Sequence, residues 1–185
     1  NAPGTQNQLG YYFNAGNVEY YLNIGATGVY NQAQFRASDD RKTKLTVAKT
    51  AVANFPSSIK FSGVSPYVDY VPNIRYAEVL LNLAEAEAEA GNATRALALL
   101  TAVHQRSDAT YDFGTLAKAD LIKAILMERR IEFIAEGFRA NDVLRRGERH
   151  RLRGATVIAA AEGEDHATLG GASRQLYRRL DRLGS

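Results

Sequence analysis

The chain has 185 residues, enough for one domain with a real core, and its 45% hydrophobic and 23% charged content are ordinary for a globular protein. Cysteine is absent, which excludes disulfides, thiolate zinc sites and a cysteine nucleophile within these residues. No apolar run approaches the ~20 residues that a helical membrane span needs. The net charge of +3 is unevenly held: from Arg145 onward there are nine arginines against five acids, while the remainder carries 14 basic and 15 acidic groups. The basic tail lacks the aromatic interleaving of a nucleic-acid surface, so it reads as solvated.

In chain order, the opening NAPGTQNQLG has neither the basic start nor the apolar middle of a signal peptide, and it reads as the interior of a longer polypeptide. Residues 1–72 are rich in Asn, Gly and Tyr. Tyr11, Tyr12, Phe13, Tyr20, Tyr21 and Tyr30 fall among Gly10, Gly16, Gly25 and Gly28, a pattern of turns that predicts long ordered loops laid over a scaffold. Residues 41–54 suggest a short helix or strand, and the alternating stretches 59–61 and 67–70 suggest a small ribbon. Pro72 suits the first turn of the helix that follows.

That helix, with its successor, organises the chain. Ile74, Ala77, Leu80, Leu81, Ala84 and Ala88 recur three and four apart, and Val79, Leu83, Ala86 and Ala90 form a second apolar row, which predicts neighbours on two sides. Gly91 ends the helix, and Asn92 stands as cap for a second one buried through Ala93, Ala96, Leu97, Leu100 and Val103. The spacing is that of a tetratricopeptide-type hairpin, although the period does not recur. One hairpin cannot bury its own apolar faces, so further structure must cover it. Asp120 then stands as N-cap of a helix with Leu121, Ile122, Ile125, Leu126, Phe133 and Ile134 on its apolar row. Gly137 interrupts it, further turns run to Gly147, and residues 174–183 make a last amphipathic piece.

Two groups of residues could carry function. Glu128, Glu132 and Glu136 stand four apart beside Arg129, Arg130 and Arg139. Paired carboxylates serve as general acids and bases or as half of a di-metal site, but no Glu-x-x-His motif accompanies them, and acids interleaved with arginines are more simply a structural ion-pair network. No catalytic residue, metal ligand or cofactor is assigned. The second group is the loop tyrosines, Tyr11, Tyr12, Tyr20, Tyr21 and Tyr30. Such rings either stack on the apolar faces of sugars or fill the core beneath the loops.

Three stretches in order, NIRYAEVLLNLAEAEAEAGN, ALALLTAVHQRS and DLIKAILMERRIEFIAEGFRANDVLRRG, resemble the C-terminal half of SusD/RagB-type outer-membrane nutrient-binding lipoproteins. Arg75 to Glu78, Glu128-Arg129-Arg130, Glu136 to Arg139 and Asp142 stand where that family's motifs fall. Asp40-Arg41 is similar to the segment upstream, more loosely. The resemblance implies a mainly α fold, with a tetratricopeptide-like hairpin, further helices and a long loop-rich N-terminal part. It implies a non-catalytic protein at the outer-membrane cell surface of Bacteroidetes-type bacteria, lipid-anchored at full length, which captures glycans or other nutrient oligomers in polysaccharide utilisation and delivers them to a TonB-dependent SusC-type transporter. The expected organisation is a ligand-face segment over 1–72, a helical core over 73–147 and a basic tail over 148–185. The anchor cysteine, the N-terminal half and any tryptophan are absent from these residues. The alternative is a tetratricopeptide-like scaffold that binds a protein or peptide.

Overall fold

A computed structural model describes residues 21–49, 55–61, 69–70, 72–147, 149–152 and 155–158. In chain order, a 3-10 turn (Val29–Asn31) is followed by α1 (Asp40–Lys44), β1 (Thr46–Lys49), β2 (Phe55–Ser58), α2 (Tyr76–Glu89), α3 (Ala93–His104), α4 (Lys118–Glu132), α5 (Phe138–Arg145), β3 (Arg149–Leu152) and β4 (Ala155–Ile158). The chain separates into two compact units, residues 1–136 and 137–185. Among the described residues the chain is mainly helical.

The first unit is built on the α2–α3 hairpin. Gly91 lies between the two helices at φ +88°, a left-handed conformation that costs a residue with a Cβ. Its N–H donates to the Ala88 carbonyl at 3.2 Å and the Asn92 N–H donates to that of Glu87 at 2.8 Å, the paired bonds of a Schellman stop. Asn92 occupies the N-cap position of α3, but its side chain donates to Glu87 instead of capping. α4 packs on both helices of the hairpin. The core comprises Ala77, Leu81, Ala84 and Ala88 of α2, Ala96, Leu100 and Val103 of α3, and Leu121, Ile122, Ile125, Leu126 and Ile131 of α4. Small residues on α2 and α3 let the two backbones approach closely.

Several boundaries differ from those the sequence suggests. α2 begins at Tyr76, after an extended Arg75, so Pro72 precedes the helix instead of opening it. Ala117, not Asp120, is the N-cap of α4; Asp120 lies in the first turn, where a carboxylate still favours the positive end of the helix dipole. The ribbon is β1–β2, antiparallel with Thr46 opposite Ser58 and Lys49 opposite Phe55. It takes in neither 59–61 nor 69–70, and 62–68 lie outside the described residues. The second apolar row of α2 is uncovered: Val79 is 49% exposed, and Ala86 and Ala90 are exposed too. Ile74, expected in the buried row, is 75% exposed.

In the second unit, α5 starts after Gly137, which sits at φ +83°. Arg145 and Asp142 form an ion pair within that helix at 3.0 Å. β3 and β4 pair antiparallel, with Arg149 opposite Ile158 and Leu152 opposite Ala155. The amphipathic piece at 174–183 lies outside the described residues.

Candidate functional site

The loop that carries Tyr21 and Tyr30 is fixed mostly through backbone carbonyls. Asn31 donates through its side chain to the Ile24 carbonyl, and Gln32 donates to those of Ala26 and Gly28 at 3.0 and 2.8 Å. Gly28 is required by close approach, since a Cβ there would run into the Asn23 carbonyl. Lys42 of α1 donates to the Tyr30 carbonyl at 2.6 Å and the Phe35 carbonyl at 2.8 Å. Burial pulls the Lys42 ammonium below its ordinary pKa, against the pull of Asp39.

The two described tyrosines of the expected set stand differently. Tyr21 is 49% exposed and stacks on Phe55 of β2, ring centroids 4.8 Å apart and planes 20° from parallel. Phe55 therefore backs one ring face and holds the aromatic plane in place. Tyr30 is half-buried: it meets Phe35 edge-on, and the Lys42 ammonium lies 4.5 Å from its ring centre. Tyr11, Tyr12 and Tyr20 lie outside the described residues. Tyr70 and Tyr76, 97% and 77% exposed, are exposed aromatics that the pattern of loop tyrosines does not single out.

Beneath the loop lies a buried cluster of charge. Glu128 and Glu132, one turn apart on α4, are both buried, and each of their carboxylate oxygens accepts a hydrogen bond. Glu128 accepts from Arg41 Nη1 at 2.6 Å, from His104 Nδ1 at 2.6 Å and from Gln34 Nε2 at 2.9 Å. Glu132 accepts from Arg41 at 2.9 Å, Arg75 at 2.8 Å and Arg106 at 2.9 Å. Arg41 also grips Asp39, its own helix cap, at 2.7 Å. Glu136 pairs with Arg75 at 2.9 Å and with Lys60, whose ammonium also donates to the Glu132 carbonyl at 2.7 Å. The cluster thus ties α1, the segment after β2, the start of α2, the end of α3 and α4 together.

Electrostatics follow from this geometry. Burial pushes the Glu128 carboxyl up, but the hydrogen bond from His104 and the charge of Arg41 outweigh it and hold the group below the usual carboxylate range. Glu132 is likewise held low, against burial, by Arg75, Arg106 and Arg41. Burial pulls the Arg41 guanidinium down, yet Asp39 and Glu128 together keep it above its ordinary value. Lys60 falls below its ordinary value because burial exceeds the pull of Glu136. A carboxylate only accepts, so His104 Nδ1 carries the proton in its bond to Glu128. The rings of Tyr111 and Phe113 lie 4.4 and 5.2 Å from the imidazole. A general acid at neutral pH needs a raised carboxyl pKa, and these are depressed.

Sequence spacing groups the three glutamates but does not reach Arg41, Arg75, His104 and Arg106, which also bind them. Among the contacts of the interleaved arginines, Arg129 donates to Asn82 at 2.5 Å and Arg130 to the Thr27 carbonyl at 3.0 Å, and the Arg75 and Arg129 guanidinia lie 5.0 and 5.3 Å from the Phe133 ring centre. Arg139 belongs to the second unit. Arg41, Arg75, His104 and Arg106 are supplied by segments distant in the chain, and no spacing rule links them to α4. A mostly apolar groove of about 630 Å³ runs along α3, lined by Ala93, Leu97, Thr101, Leu116 and Leu121 among others.

Taken together, the hairpin, the helix packed across it and the neutralised cluster define a mainly helical frame protein. The model of the SusD family matches residues 5–167, and the chain belongs to that family. Among solved structures, a SusD superfamily protein from Bacteroides fragilis is similar at 32% identity and a TM-score of 0.63; the match covers 84% of this chain and 34% of that one. The chain therefore spans about a third of that relative's length. No curated protein matches.

Proposed function

We propose that the chain takes part in non-catalytic capture of glycans, or of other nutrient oligomers, at the outer-membrane surface. Delivery to a TonB-dependent SusC-type transporter and lipid anchoring at full length belong to the same proposal. Membership of the SusD family is the observation that carries it. Two features of the fold support it: the buried carboxylates are consumed by internal partners, and Tyr21 offers a half-exposed ring braced from behind by Phe55. A rigid aromatic plane loses little entropy when a sugar ring stacks on it, and nearby polar groups fix orientation. Tyr11, Tyr12, Tyr20, Tyr21 and Tyr30 remain the proposed contacts. Of the two described, Tyr21 is the better platform, because Lys42 and Phe35 already engage Tyr30.

Calorimetric titration of the chain with a panel of oligosaccharides tests this. The expected result is saturable binding that Tyr21→Ala weakens by roughly tenfold, equivalent to about 1.4 kcal/mol. Binding unchanged by that substitution removes Tyr21 from the site. Capture of an apolar peptide along the α3 groove, with no sugar bound, would establish instead the tetratricopeptide-type scaffold that the groove favours.

A further inference from the structure

Residues 105–117 join α3 to α4, and of their side chains only that of Asp108 is buried. With so little apolar burial, polar contacts hold the segment, and such regions open locally while the helices around them stay formed. The strongest of these contacts meet at Asp108. Its carboxylate accepts a forked pair from Arg36 Nε and Nη2, both at 2.8 Å, and the hydroxyls of Ser38 and Thr110 donate to it at 3.1 Å. Beside them the Asp40 N–H donates to the Ser107 carbonyl at 2.8 Å. Burial pushes the Asp108 carboxyl up, but the hydrogen bonds from Arg36, Ser38 and Thr110 outweigh it and hold the group below the usual carboxylate range.

The same guanidinium lies 4.8 Å from the centre of the Tyr111 ring. Tyr111 and Phe113, their ring centres 4.7 Å apart, both lie against the His104 imidazole. Arg36 therefore fixes the segment twice, at Asp108 and at Tyr111, and so keeps the aromatic pair over His104. That imidazole is wholly buried, and its Nε2 has no hydrogen-bond partner among the described residues. Because Nδ1 carries the proton toward Glu128, Nε2 holds the lone pair, which would accept from water if the rings moved aside. All of these contacts are internal, so they hold whatever covers the outer sides of the rings.

We propose that residues 107–113 are a strap, latched by Arg36 on Asp108, that opens without melting the helices and so controls the access of water to His104 and the charge cluster behind it. Without Arg36 the buried Asp108 keeps only two hydroxyl donors. A carboxylate so stranded regains its hydration by turning outward, and Tyr111 and Phe113 lie on the same short segment. The proposal is independent of the glycan reading.

Acylation of His104 by diethyl pyrocarbonate, read by mass spectrometry of the peptide that contains it, tests the strap, because the reagent needs an accessible imidazole lone pair. The expected result near neutral pH is slow labelling of the unsubstituted chain and labelling roughly tenfold faster in Arg36→Ala and Asp108→Asn. The factor is modest because the Arg36 side chain is 38% exposed and water screens it. Arg36→Lys, which keeps the charge but loses the fork and the stacked plane, should fall between. Lys44→Ala, which breaks the exposed Asp40–Lys44 pair, should label as slowly as the unsubstituted chain. Hydrogen exchange of the α2 and α3 amides in the same samples separates strap opening from unfolding, and those amides should stay protected in every variant. Fast labelling of the unsubstituted chain overturns the proposal. So does labelling unchanged by Arg36→Ala, equal acceleration by Lys44→Ala, or loss of helix protection together with the gain in labelling.

Discussion

Arg41 meets three carboxylates, those of Asp39, Glu128 and Glu132, while it is itself buried. A charge so placed is tolerated only because every partner is paired in turn. Removing one partner would strand the rest, at a cost of about 3–5 kcal/mol. The same arrangement sets the acid limit of stability. Glu128 and Glu132 have folded-state pKa values below those of the unfolded chain, so their contribution is complete above an unfolded carboxyl value of about 4.3. It is lost as pH falls through the lower folded values. Thermal melts followed by circular dichroism should show the melting temperature dropping steeply below about pH 4, and Glu128→Gln should make that drop shallower. At this scale the sequence is only partly informative. Four-residue spacing groups Glu128, Glu132 and Glu136, because a helix turn brings such positions to one side. It is blind to Arg41, 87 residues from Glu128, and to His104, since tertiary contact alone joins them.

The elements were the most legible level. The α2–α3 hairpin and α4 follow from periodicity that burial then explains, and Gly91 marks the stop because the left-handed position there favours glycine. Gly91→Ala should therefore destabilise by about 1 kcal/mol, lowering the melting temperature by a few degrees with no loss of helix signal, since the strain is local and nothing lies within 4 Å of the new methyl. The ends of elements were harder to read. Pro72 and Asp120 carry sound local signals, yet the chain starts α2 and α4 elsewhere: Arg75 is extended, with its side chain bound to Glu132 and Glu136, and α4 begins at Lys118, two residues before Asp120. Periodicity also reports that a row is apolar without reporting what covers it. Val79 and Leu83 read as buried by pattern and stand exposed.

For the whole molecule, the ordered motifs around Arg75, Glu128 and Glu136 pointed to the SusD family, to which the chain belongs. Arg75, Glu128 and Glu136 of those motifs belong to the buried cluster, alongside Arg41, His104, Arg106 and Glu132. Recognition was legible only as chemistry: a tyrosine-rich loop can be read from composition, but which ring lies open depends on Phe55 and Lys42, contacts that no local pattern encodes. The division of labour we propose follows: charges hold the frame, and aromatic loop residues are the proposed ligand contacts. The most direct test measures melting temperature and oligosaccharide affinity together on Glu128→Gln. The expected outcome is a large fall in melting temperature with affinity unchanged, within about twofold, at temperatures where the variant is folded. Unaltered melting with lost binding, or with loss of a catalytic turnover shown by the unsubstituted chain, would contradict it.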